Sequence, residues 1–185
     1  MDYTIKHYSE SENKSKEEVL DLMQEYNENF SDFDMGSIEE MAHEWYIDDE
    51  EEVSEREALE IFYDELCDEL VVAYDKKDLV GLRFVEYDED DEYFKDRHND
   101  YKQGLNLTFA LVDKDYRQEG IWSEMFSHVE KEILPDYNVD RLYLATTSKN
   151  RSMQKTAESH GFKEVSRVEN ERGEGIDTVI YCKKY

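Results

Sequence analysis

A mixed α/β fold, with a central, mostly antiparallel sheet flanked by helices, is predicted for this chain of 185 residues. Three observations predict it. Strand-like stretches alternate with stretches of helical period along the chain. Short polar turns join neighbouring strand-like stretches at residues 75–78 and 169–175, which gives hairpins toward both ends. No repeat or low-complexity linker interrupts the pattern, so one domain over residues 1–185 is expected, long enough to bury a core.

The elements follow in order. Tyr3-Thr-Ile-Lys-His-Tyr8 alternates and is rich in β-branched and aromatic residues, which predicts a first strand. Ser15 with Glu18 forms a capping box ahead of a helix whose apolar face is Val19, Leu22, Met23, Tyr26 and Phe30. Ser37 with Glu40 starts a second helix, with Ile38, Met41, Ala42 and Trp45 on one side. Five consecutive acids at 48–52 read as a solvated loop or helix start. A third helix is expected over residues 54–69, burying Ala58, Leu59, Phe62, Leu66 and Leu70. Strands follow at 70–74 and 79–87. Residues 88–100 are acidic with scattered Tyr93, Phe94 and His98, and read as a long mobile loop. A strand at 105–112 leads through a polar turn into a helix from Ile121, with Trp122, Met125, Phe126, Val129 and Ile133 in phase, stopped by Pro135. Residues 141–147 form a strand and 150–160 a helix, which Gly161 ends. Strands at 162–168 and 176–183 close the sheet.

Lys plus Arg number 22 and Asp plus Glu 49, so the net charge is −27. Such a surface repels nucleic acid and anionic membranes, so neither is an expected partner. The acidity has three readings: a hydrated, halophile-like surface, attraction of a cationic substrate, or mimicry of nucleic acid. Clear apolar periodicity and 13% aromatic residues argue for a packed domain rather than disorder. Cys67 and Cys182 lack metal spacing and read as reduced core residues. His7, His43, His98 and His128 form no metal pattern. No signal peptide or membrane-length apolar run is visible, so a cytoplasmic protein is expected.

The chemistry concentrates in LNLTFALVDKDYRQEGIWS, residues 105–123. A strand feeds a short loop that opens a helix, where outward-pointing amides and the helix dipole favour an anion. With Arg117 and Gly120, this loop resembles the Arg/Gln-x-x-Gly-x-Gly/Ala signature of the GNAT superfamily, the GCN5-related N-acetyltransferases. A second resemblance lies downstream: Asn150 followed eleven positions later by Gly161-Phe162, after the apolar strand 142–146. The two motifs span about residues 105–162, and the element order is that of the GNAT fold.

The resemblance implies an acetyl-CoA-dependent N-acetyltransferase, with acetyl-CoA as co-substrate. Ala110, Leu111 and Val112 sit where strand backbone pairs with the pantetheine arm. Arg117, Gln118, Glu119, Gly120, Ile121, Trp122 and Ser123 sit in the pyrophosphate loop, and Asn150 where a side chain contacts the arm. The strands ending near Val112 and Thr146 would splay to admit that arm. Read without the family, the strand is simply buried, Arg117 is a surface charge and Asn150 a helix cap. Trp122 departs from the signature. An indole cannot sit where backbone must approach phosphate. Its shared face with Met125, Phe126 and Val129 favours a place in the core.

The sequence also departs at the catalytic positions. Ala157 stands at the family's Tyr acid, seven after the Asn, and Ala145 at a Glu base, five before it. The remaining candidates are Glu86, Thr108 and His160, with a water on Asn106 or Thr108 as another route; each also fits a structural role. The acceptor expected is a small-molecule or protein primary amine, in a site built from the helices over 15–69 and the segment 88–104. A homodimer is left open. The contrasting expectation is an inactive GNAT-fold module that binds acyl-CoA or regulates.

Overall fold

A computed structural model describes residues 3–9, 17, 20–21, 23–24, 42, 46–47, 53–66, 68–87 and 92–185. In chain order its elements are β1 (Thr4–Ser9), α1 (Glu55–Leu66), β2 (Glu69–Asp75), β3 (Asp78–Glu86), α2 (Glu92–Arg97), β4 (Leu105–Val112), α3 (Ile121–His128), β5 (Arg141–Thr147), α4 (Arg151–Ser159), β6 (Lys163–Val168) and β7 (Thr178–Lys184). The strands form one seven-stranded sheet in the order β1-β2-β3-β4-β5-β7-β6, mostly antiparallel, as predicted. The chain divides into two compact units, Met1–Val85 with Phe109–Met125, and Glu86–Thr108 with Phe126–Tyr185.

In the first unit β1 and β3 flank β2, both antiparallel to it. Alternation puts Leu82 and Phe84 on one face of β3 and Gly81 and Arg83 on the other. Phe62 of α1 meets Phe84 at 5.7 Å and Phe109 at 5.6 Å between ring centroids. These rings centre a core that includes Ala58, Leu59, Leu70 and Val72. Ser54 caps α1 reciprocally: the Glu57 N–H donates to Ser54 Oγ at 3.3 Å, and the Ser54 N–H donates to the Glu57 carboxylate at 2.8 Å. Arg56 ties this helix to Glu17 and Asp21 at 2.7 and 3.0 Å. On the other sheet face α3 packs close. A methyl group on Gly81 would lie 3.0 Å from Ile121 and 3.3 Å from Met125, so only a bare backbone lets the helix approach this far.

In the second unit β5 and β6 flank β7, antiparallel to it. β4 starts parallel to β5, with Leu105 opposite Leu142 and Asn106 opposite Tyr143. Phe94, Tyr143, Ile180 and Cys182 form the buried cluster here. The Tyr143 phenol accepts the Lys102 N–H at 3.2 Å, and burial pushes it up to about 12. Burial likewise pushes the Cys182 thiol up. Gly161, with φ of +86°, takes the left-handed step that ends α4.

Three expectations change. The helix expected to reach residue 69 stops at Leu66, because the Asp68 N–H bonds Val85 O at 3.1 Å and Glu69 enters β2. Part of the expected loop 88–100 is helix α2, with Phe94 buried against Tyr143 at 5.4 Å and Arg97 over the Tyr93 ring at 3.9 Å. An acidic composition hid it, since the apolar partners are distant in sequence. The helix from Ile121 keeps α geometry only to His128; a π turn over Val129–Ile133 and a 3-10 turn holding Pro135 complete it. The two predicted helices over 15–30 and 37–45 fall mainly outside the described residues, as do Cys67 and the acidic run 48–52. Positions 17, 20, 21, 23, 24, 42 and 46 are helical, with Leu20, Met23 and Ala42 buried. Among the described residues, no helix is long and apolar enough to cross a membrane.

Candidate functional site

The loop between β4 and α3 belongs wholly to the first unit, and each turn of it has a local cause. The Asp113 N–H bonds Val80 O at 3.0 Å, which fastens the end of β4 to β3. The Asp113 carboxylate then accepts the Asp115 N–H at 2.8 Å and caps a 3-10 turn over Lys114–Tyr116. Arg117 reaches back, its Nε donating to Val112 O at 3.3 Å. Gln118 and Gly120 both take positive φ, +70° and +88°, while Glu119 between them does not. Such changes of hand turn consecutive amides toward one concave side. Gly120 is needed for its φ alone, since a Cβ there would meet nothing within 4 Å.

The helix ladder begins with the Glu124 N–H bonding Gly120 O at 3.0 Å. The amides of Ile121, Trp122 and Ser123 precede it, so the ladder itself does not use them. Gly120 has no side chain to cap them. A helix entrance with open space before it suits an anion. The predicted strand residues Ala110 and Val112 are half-buried and Leu111 is buried.

The surrounding field opposes an anion. Desolvation and the carboxylates of Glu119 and Asp75 push the Tyr3 phenol up. Desolvation, Asp75, Asp78 and Asp113 do the same to Tyr116, whose hydroxyl donates to Asp75 at 3.4 Å. A buried cation stands against these. Arg83 is 1% exposed on β3, and its guanidinium carbon lies 4.6 Å from the centre of the Trp122 ring. Among the described residues, its Nε and Nη2 have no hydrogen-bond partner. Burial alone draws the group down to about 9, so it stays charged at neutral pH. Sequence reading passed over Arg83, although one charge inside the apolar run 79–85 was a visible signal. The half-buried Trp122 ring packs against this group on the sheet.

The other candidates lie in the second unit. Asn150 is the N-cap of α4, its Oδ1 accepting the Met153 N–H at 3.0 Å. His160 closes the same helix. Its Nδ1 lies 2.9 Å from Thr156 O and 3.2 Å from Ser159 Oγ, and its ring meets Phe126 edge-on at 5.3 Å. Ala157 is fully buried and Ala145 half-buried, at the positions of the family's acid and base. Glu86, at the end of β3, and Thr108, on β4, are half-buried, and Asn106 is buried. Cavities of about 440 and 290 Å³ also open in this unit, and no motif residue lines either of them.

The class follows from this strand–loop–helix arrangement and its sheet. Residues 39–162 match the acetyltransferase (GNAT) family, and the chain belongs to it. No curated protein matches the sequence. Solved structures share the fold. The ribosomal-protein-S18-alanine N-acetyltransferase from Escherichia coli is 16% identical with a TM-score of 0.60, over 99% of this chain and 94% of that one. A GNAT-family acetyltransferase from Bacillus cereus is 16% identical with a TM-score of 0.60, over 100% and 98% of the two chains. The yncA protein of Salmonella typhimurium, solved with its cofactor acetyl-CoA, is 12% identical with a TM-score of 0.61, over 100% and 94%.

Proposed function

We propose that this chain is an N-acetyltransferase that moves an acetyl group from acetyl-CoA to a primary amine, as a single domain over residues 1–185. The observation that carries the reading is the anion-suited entrance of α3. There, left-handed Gln118 and Gly120 precede amides that the helix ladder leaves unused. In this reading those amides and Arg117 hold the pyrophosphate, and the backbone of 110–112 pairs with the pantetheine arm. Asn150 is assigned to the arm, in addition to its cap. Family membership and a related fold solved with acetyl-CoA support the co-substrate.

The chemistry asks little of side chains. A lysine-like amine has a pKa near 10.4, so it must lose a proton before attacking. The neutral nitrogen adds to the thioester carbonyl, a backbone N–H stabilises the oxyanion, and the C–S bond breaks. The leaving thiolate takes up a proton, giving an amide and free CoA. With Ala157 in place of the acid, that proton comes from solvent. Glu86, or a water on Thr108 or Asn106, is the base in this reading. His160 is assigned to the helix end, where Nδ1 lies 2.9 Å from Thr156 O and the ring packs on Phe126.

The acidic surface suits a cationic acceptor, a polyamine or a protein amine. A second reading, a GNAT-fold module that binds acyl-CoA without turnover, is favoured by Ala157 and Ala145. Calorimetric titration with acetyl-CoA, followed by thiol release across an amine panel, tests both. Thiol that appears only with an amine present supports the enzyme. Binding without turnover on any amine leaves the module, and a folded protein that binds nothing defeats both readings.

A further inference from the structure

A buried guanidinium with two unused donors is costly wherever it is not matched by an anion. Arg83 is such a group. It is 1% exposed, without a hydrogen-bond partner for Nε or Nη2, and carries no ion pair among the described residues. It stacks 4.6 Å from the ring of Trp122, the second residue of α3. The charge therefore lies behind the helix entrance that faces the open space before Gly120. The loop and the first turn of α3 carry Asp113, Asp115, Glu119 and Glu124 against Lys114 and Arg117. An anion arriving there meets net negative side chains and needs a fixed positive charge that solvent does not screen.

We propose that Arg83, acting through Trp122, is the positioning residue of the phosphate site. It holds the indole against β3, which keeps the ring away from the concave side of the loop, and its own charge is balanced when a pyrophosphate binds. This explains how a Trp stands at the position where family members carry Gly or Ala. The small residue opens the loop in them; here the stack on Arg83 does so. The inference rests on the donor reading above, and it assigns Arg83 no contact with the acetyl group.

The test pairs CoA titration calorimetry with thermal melting, on the full chain. Arg83→Met removes an unbalanced charge, so the free protein is expected to melt higher than wild type. The same variant should bind CoA at least tenfold more weakly, with a smaller upward melting shift at saturating CoA. Arg83→Lys should keep most of the affinity. Trp122→Phe, which keeps a ring for the cation, should stay within about twofold of wild type, and Trp122→Leu should lose affinity as Arg83→Met does. A purely structural Arg83 predicts the reverse: Arg83→Met melts lower and binds CoA unchanged, which would overturn the inference. Trp122→Leu binding as wild type overturns it as well, even if Arg83→Met fails to fold. Wild type that is folded and binds no CoA removes the donor reading and this inference together; wild type that binds while both variants bind equally removes this inference alone.

Discussion

Asn150 carries two candidate duties that one substitution separates. As the N-cap of α4, its Oδ1 takes the Met153 N–H at 3.0 Å. Loss of that acceptor in Asn150→Ala should cost about 1 kcal/mol of stability, read as a lower urea midpoint at unchanged slope. As a contact for the pantetheine arm, it should also weaken CoA. Asn150→Ser keeps a capping oxygen on a shorter side chain. It should restore the urea midpoint without restoring CoA affinity. Equal CoA affinity in all three proteins would leave Asn150 a cap and nothing more. His160 shows the same economy at the other end of the helix, where its ring serves Thr156 O and Phe126.

At the scale of elements, the β6–β7 hairpin is held by its turn. Asn170 takes a left-handed φ of +57°, its N–H donates to Asp177 Oδ1 at 3.2 Å, and Arg167 approaches Oδ2 of the same carboxylate at 3.2 Å. The Asn170 N–H first, and Arg167 after it, hold the Asp177 carboxyl below the usual aspartate range. A carboxyl depressed in the folded state stabilises it above the unfolded pKa, and that contribution fades as pH falls through the folded value. The hairpin should therefore keep its full protection against amide exchange at neutral pH. It should loosen as pH drops below the ordinary aspartate range, and Asp177→Asn should flatten this dependence. An exchange profile that is the same in both proteins at every pH would remove Asp177 from the account. At this scale too, α2 shows how a segment of acidic composition becomes helix once Phe94 reaches Tyr143.

Across the whole molecule the net charge of −27 dominates. Like charges repel most in the folded chain, where they are closest, so dilute buffer should destabilise it. About 1 M KCl shortens the screening length to roughly 3 Å and removes most of this repulsion. The melting temperature should therefore rise steeply from dilute buffer to molar KCl. A flat response would mean that the acids are already relieved, by ion pairs such as Arg56 with Glu17 and Asp21. Salt also screens the acids around the phosphate loop, which repel an anion, so CoA affinity per folded molecule should rise along with stability.

Much of this fold was legible in one dimension. β4 and β5 fall where the apolar-rich runs 105–112 and 141–147 put them, because a buried strand declares itself by a short stretch dense in apolar residues. Asn150 and Gly161 bound α4 as caps do, because capping is local chemistry. The strand–loop–helix of residues 105–123 was equally local, so the family could be read from it. The tertiary structure decided what depended on distant neighbours. It set the end of α1 at Leu66, the helix hidden at Glu92–Arg97, and the direction of the Trp122 ring. Above all it placed Arg83, one cation in an apolar strand, beneath the entrance of α3. Which face of a strand a residue takes, and what lies across from it, is settled by packing, and no local pattern encodes that partner.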